Sequence, residues 1–118
     1  MNKVILLIIL LATFTGCDMC GNEISKTELS PDGVSKAVVY NRDCGATTGF
    51  NTQVSIIGAE DQLSNNSGNI LIIKNKENLT LNWLSNNQLE IKGNLSNETF
   101  KKEQRYKGFL ITYVQEKL

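Results

Sequence analysis

Polar and apolar residues alternate most cleanly in the second half of the chain. Leu79, Leu81 and Trp83 fall on one side of an extended backbone, and Thr80 and Asn82 fall on the other. Ser85-Asn86-Asn87 supplies turn residues, after which Leu89 and Ile91 alternate with Glu90 and Lys92. Successive side chains of a strand point to opposite faces, so this stretch predicts a hairpin with one wet face. Lys36–Arg42, around Ala37-Val38-Val39-Tyr40, reads as a strand, and Thr52–Ile57 as another with Val54 and Ile56 on one face. Ser30-Pro31-Asp32-Gly33 has turn composition, and Asn65–Asn69 reads as a loop. The continuous apolar run Ile70–Ile73 suits a strand buried on both faces. Lys107-Gly108 is placed to join a final pair, with Phe109, Ile111 and Tyr113 on one side. Asn97–Arg105 fits either a short capped helix or a strand.

These elements predict a single all-β domain, an antiparallel meander or small sandwich of about six or seven strands. Its expected core is Val38, Tyr40, Val54, Ile56, Ile72, Leu81, Trp83, Leu89, Ile91 and Ile111.

The first residues follow a different pattern. Met1-Asn2-Lys3 carries one cation, Val4–Ala12 is apolar throughout, and mostly small residues lead to Cys17. A run this short does not span a bilayer, which takes about 18 or more apolar residues. It has the charged, apolar and small-residue regions of an export signal. The residues before Cys17 resemble a bacterial lipobox. That resemblance implies removal of residues 1–16, diacylation of the Cys17 thiol, and a mature chain anchored to the membrane through Cys17. Residues 17–29 are then expected to be a tether and 30–118 the β domain. The implied location is the cell membrane or the periplasmic face of the envelope. Asp18 resembles a residue that retains some lipoproteins in the inner membrane, and it reads equally well as a solvated tether residue.

Lipidation changes the cysteine count. The chain has three cysteines, and with Cys17 acylated only Cys20 and Cys44 remain. In an oxidising compartment a disulfide between them is the default expectation. The loop it would close, about 25 residues, corresponds to roughly 3 kcal/mol in the chain-entropy model. Simple secretion with a free or intermolecular thiol is the alternative. Cys17 and Cys20 have redox-pair spacing but sit at the end of the signal rather than opening a helix.

Composition removes several function classes. Lys plus Arg and Asp plus Glu both total 12, so nothing favours nucleic acid or an anionic lipid surface. The chain contains no histidine, which excludes Ser-His-Asp and Cys-His catalysis and imidazole metal ligation. No catalytic residue, metal site or cofactor is expected. The Asn-x-Ser/Thr triplets at Asn65, Asn78, Asn94 and Asn97 read as turn residues.

Two resemblances remain. Leu29-Ser30-Pro31-Asp32-Gly33 followed by Ala37-Val38-Val39 resembles the strand–turn–strand repeat of bacterial envelope propellers. Trp83–Ile91 resembles a degenerate second copy lacking Pro and Gly. Propellers need about four to eight blades, and this chain has room for about two, so only blade-like hairpins are implied. The Ser-Pro-Asp-Gly turn, the loop Cys44-Gly45-Ala46-Thr47-Thr48-Gly49 and the following Gln53-Val54-Ser55 resemble a group of small uncharacterised bacterial lipoproteins. That likeness implies no site residues.

The Arg42–Asn51 loop is the candidate binding surface, through Arg42, Asp43, Thr47, Thr48 and Asn51. Read blandly, it is a long hairpin connection in which Gly45 and Gly49 take positive φ and Arg42–Asp43 is a solvated charge pair. The expected function is a non-catalytic binding module whose partner is an envelope protein or a cell-wall component. An inhibitor or immunity-type protein against a secreted hydrolase or toxin, and a structural envelope subunit, are the alternatives.

Overall fold

A computed structural model describes residues 20–45 and 49–116 of the chain. Its elements are all strands: β1 (Gly21–Leu29), β2 (Ser35–Asp43), β3 (Phe50–Gly58), β4 (Leu71–Lys74), β5 (Thr80–Ser85), β6 (Gln88–Gly93), β7 (Thr99–Lys102), β8 (Arg105–Tyr106) and β9 (Phe109–Gln115). They form one sheet ordered β1-β2-β3-β4-β7 and a second ordered β5-β6-β9-β8. The domain is therefore all-β, as the alternation predicts.

The two sheets share one core. Ala37 and Val39 of β2, Val54 and Ile56 of β3, and Leu71 and Ile73 of β4 meet Leu79, Leu81, Leu89, Ile91 and Ile111. Each Val, Leu or Ile side chain among them, fully removed from water, contributes about 1.5–3 kcal/mol. The register explains the choice of face, because Val39 pairs with Val54 and Ala37 with Ile56. Val38 and Tyr40 are buried too, but opposite Ser55 and Gln53 on the other face of the sheet. The expectation that they belong to one core with Val54 and Ile56 is thus corrected, although their burial is as expected. β2 is a central strand covered on both sides, and burial on both sides hides the parity.

What covers that outer face is the connection from β3 to β4, residues 59–70. The Tyr40 hydroxyl lies 3.1 Å from Ser55 Oγ, and the amide of Gly68 donates to Gln53 Oε1 at 2.6 Å. Asn69 substitutes for a missing strand at Ile56: its Oδ1 accepts from the Ile56 amide and its Nδ2 donates to the Ile56 carbonyl, both at 2.9 Å. Buried polar groups must find partners, and here the loop supplies them. Gly68 is required by close approach, since a Cβ there would sit 2.9 Å from the carbonyl oxygens of Leu71 and Val54.

Four more expectations are revised. Residues 21–29 are strand rather than tether, paired with β2 from Gly21↔Asp43 to Leu29↔Lys36 with an irregularity at Ser25. Ile72 is only half-buried, because Leu71 and Ile73 take the core face and Ile72 pairs with Gln53 on the other. Trp83 is half-buried at the margin of the core rather than within it. The pairing is not wholly antiparallel, because β6 and β9 run parallel from Gln88↔Leu110 to Gly93↔Gln115.

The ambiguous stretch 97–105 is extended and divides between the sheets. β7 pairs with β4, and two residues later β8 pairs with β9 across the Lys107-Gly108 turn. Glu103 donates its amide to Ile70 in one sheet, and Gln104 accepts from Ile111 in the other. The opposite seam is closed by side chains. Lys26 Nζ donates to the Leu79 carbonyl at 2.6 Å, and Trp83 Nε1 donates to the Glu28 carbonyl at 2.9 Å.

Candidate functional site

The segment singled out by sequence begins where β1, β2 and β3 end together. Gly21, Asp43 and Phe50 form the last rung of these strands, and all three are exposed. Just beyond it, Cys20 and Cys44 are joined by a disulfide, with Cα atoms 3.8 Å apart. The expected pairing is therefore present. Cys17, Thr47 and Thr48 lie outside the described residues.

Arg42 is built into the fold. It lies on β2 and faces outward like Tyr40, where the 59–70 connection crosses. Its Nη1 donates to Asn22 Oδ1 at 2.8 Å and to Asn65 Oδ1 at 3.1 Å. Asn22 Nδ2 in turn reaches the carbonyls of Ser64 and Asn66, and Asn65 Nδ2 donates to the Cys20 carbonyl at 3.1 Å. One guanidinium thus ties β1, β2 and the covering loop beside the disulfide. Its planar fork of donors suits it to bridging several oxygens in fixed geometry.

Asp43 has a local role. Its Oδ1 accepts from the Gly45 amide at 3.0 Å, an Asx turn that starts the loop. Gly45 and Gly49 do have positive φ, 119° and 70°. Asn51 lies on β3, where its Oδ1 accepts from Gln53 Nε2 at 2.7 Å, and Gln53 then holds Gly68. Of the five residues nominated as a binding loop, Arg42 and Asn51 stabilise the fold, and Asp43 shapes the turn and remains exposed.

The inner side of this end forms a shallow hollow of about 300 Å³ lined by Gly21, Asn22, Glu23, Asn41, Asp43 and Phe50. Two carboxylates, two amides and an aromatic ring line it; the oxygens can accept hydrogen bonds and the ring can cover an apolar group. Among the described residues no group of three or more Cys, Asp or Glu side chains is placed to hold a metal ion.

At the opposite end, the Ser30-Pro31-Asp32-Gly33 turn is tightly hydrogen-bonded. Asp32 Oδ1 accepts from Ser30 Oγ at 2.6 Å and from the Val34 amide at 3.1 Å. These two bonds, the Ser30 bond foremost, hold its carboxyl below the usual carboxylate range. The 85–87 and 107–108 turns lie at this end as well, joined by the Leu110 amide donating to the Asn87 carbonyl. Leu29, Val34 and Leu84 are exposed here, at 58%, 66% and 51%.

The web around Arg42 was missed by sequence reasoning. Asn22 and Asn65 are 43 residues apart, and both sit in polar surroundings typical of turns. A polar residue's bonding partners leave no periodic trace. No family model, curated protein or solved structure matches this chain.

Proposed function

We propose that this chain is an exported, lipid-anchored binding module of a bacterial envelope, without catalytic activity of its own. The single observation that carries the reading is the Cys20–Cys44 bridge, closed three residues after Cys17. It supports residence in an oxidising compartment, where such bonds persist. It also gives an acylated Cys17 a stapled pair of strands to hold, rather than a loose tail. The absence of histidine from the chain supports binding over catalysis.

The partner in this reading is an envelope protein or cell-wall component. Its contact is the end of the sandwich carrying the exposed Leu29, Val34 and Leu84, because Arg42 and Asn51 at the other end serve the fold. A photo-cross-linker introduced at Val34 in the full, processed protein tests this in the intact envelope. The expected result is one discrete adduct from Val34, with intact mass giving residues 17–118 plus acyl chains. An unprocessed chain, or hydrolytic turnover by the purified protein, overturns the reading.

A further inference from the structure

The proposed anchor at Cys17 is three positions along the chain from the disulfide-bonded Cys20, and that short tether bears on which end faces the membrane. We infer that the Cys20–Cys44 end of the sandwich rests on the bilayer, with the Phe50 ring inserted at the level of the lipid headgroups. This inference rests on the lipid-anchor reading above.

The argument is one of reach. Two residues separate Cys17 from Cys20, and a fully extended chain covers at most about 11 Å over those three steps. Cys20 has no slack beyond it, because Gly21 already pairs with Asp43 and Cys20 is bonded to Cys44. An acylated Cys17 would therefore hold Cys20 within about 11 Å of the lipid surface, and Gly21 on the last rung of the strands within about 14 Å.

Phe50 is the apolar group on that rung. It is 57% exposed, although its backbone is fixed by pairing with Asp43 and by the Asn75 amide donating to its carbonyl at 3.0 Å. A large ring held out on a rigid strand end suits the headgroup–acyl boundary, where apolar side chains of peripheral proteins sit about 5–10 Å deep. The charges beside it are mixed. Lys74 and Lys76 flank Asn75, while Glu23 and Asp43 line the hollow under the ring. Contact is thus expected to depend on the anchor and the ring, and not on anionic lipid.

The orientation also disposes of the far end. Glu28 lies seven strand residues from Gly21, roughly 23 Å along β1 at the usual rise per residue. Trp83, bonded to Glu28, is accordingly well clear of the bilayer.

Tryptophan quenching by brominated acyl chains reads both ends. The lipidated protein is reconstituted into phosphatidylcholine vesicles with and without brominated chains. Two forms are compared: the natural protein, reporting from Trp83, and Phe50→Trp in a Trp83→Phe background. The expected result is about a twofold drop and a blue shift for Phe50→Trp, consistent with interfacial depth. Trp83 should lose little, and adding anionic phosphatidylglycerol should change neither. If the Trp83→Phe background does not fold, the difference between Phe50→Trp and the natural protein gives the same reading. A protein whose mass includes acyl chains but whose Phe50→Trp signal is quenched no more than Trp83 overturns the orientation alone. A mass without acyl chains overturns the anchor and the orientation together.

Discussion

Trp83 Nε1 donates to the carbonyl oxygen of Glu28 at 2.9 Å, across 55 residues of sequence. This bond joins β5 of one sheet to the edge strand β1 of the other. The same indole meets the Phe109 ring edge-on, with centroids 5.9 Å apart. Trp83 therefore works as a seam residue, anchored on both sides while its ring stays half-exposed.

Replacing it separates the two contributions. Trp83→Phe keeps a ring against Phe109 and loses the bond to Glu28, so it should cost about 1 kcal/mol. Trp83→Ala loses both and should cost about 2–4 kcal/mol, toward the lower part of the range for buried aromatics because the site is partly wet. Urea unfolding measures both, and a Trp83→Phe cost near zero would mean that the indole hydrogen bond contributes nothing.

Removal of the disulfide should be felt mainly at the root of β1. Cys20→Ser with Cys44→Ser is expected to lower stability by roughly 3 kcal/mol. Hydrogen exchange should accelerate first at Gly21–Ile24, the end of β1 next to the bridge, where pairing with β2 and the side chain of Asn22 remain to hold it. Uniform acceleration across both sheets would contradict a local staple.

Arg42→Ala should destabilise the fold, which is the reverse of what an exposed recognition residue would do. Loss of its charged hydrogen bonds to Asn22 and Asn65 should cost about 1.5–3 kcal/mol. A double-mutant cycle with Asn65→Ala should give a coupling energy of about 0.5 kcal/mol or more. Additive effects would show that the two side chains act independently.

Gly68→Ala brings a methyl group against two backbone carbonyls that cannot swing aside. The expected cost is about 1–3 kcal/mol, with the 59–70 connection lifting from Tyr40 and Gln53. Its signature would be greater exposure of Tyr40, measured by iodination or hydrogen exchange.

Stability should fall at alkaline pH through Tyr40 and Tyr113. Burial raises the Tyr40 hydroxyl above the usual tyrosine value, offset in part by the bond with Ser55 and by the Arg42 charge. Burial, then repulsion from the Glu103 carboxylate, raises Tyr113 well above it. The Tyr113 hydroxyl also donates to the Glu103 carbonyl, a bond that ionisation would break. Both folded values exceed the unfolded one, so their contribution is complete below about pH 10 and is lost as pH rises through the folded values. Urea midpoints across this range, with phenolate absorbance, should show the decline, and Tyr113→Phe should reduce it. An unchanged decline in that variant would assign it elsewhere.

The sequence by itself determined the class of fold and much of its core. Leu79, Leu81, Leu89 and Ile91 alternate strictly with polar residues, and alternation reports directly which side of a strand is dry. The Cys20–Cys44 pairing was likewise legible, on the expectation that Cys17 is acylated. Tertiary structure alone decided the rest. β1 carries only Ile24 and Leu29 as large apolar residues, both exposed, and it is a strand because β2 presents an unpaired edge to it. The direction of β9 was equally hidden, since parity tells which face a residue takes and not which way its strand runs. Arg42 looked free because its bonding partners, Asn22 and Asn65, come from distant segments that only the folded chain brings together. Hydrophobic pattern is a local property of one strand, whereas strand order, direction and polar partnership depend on neighbours supplied from elsewhere in the chain.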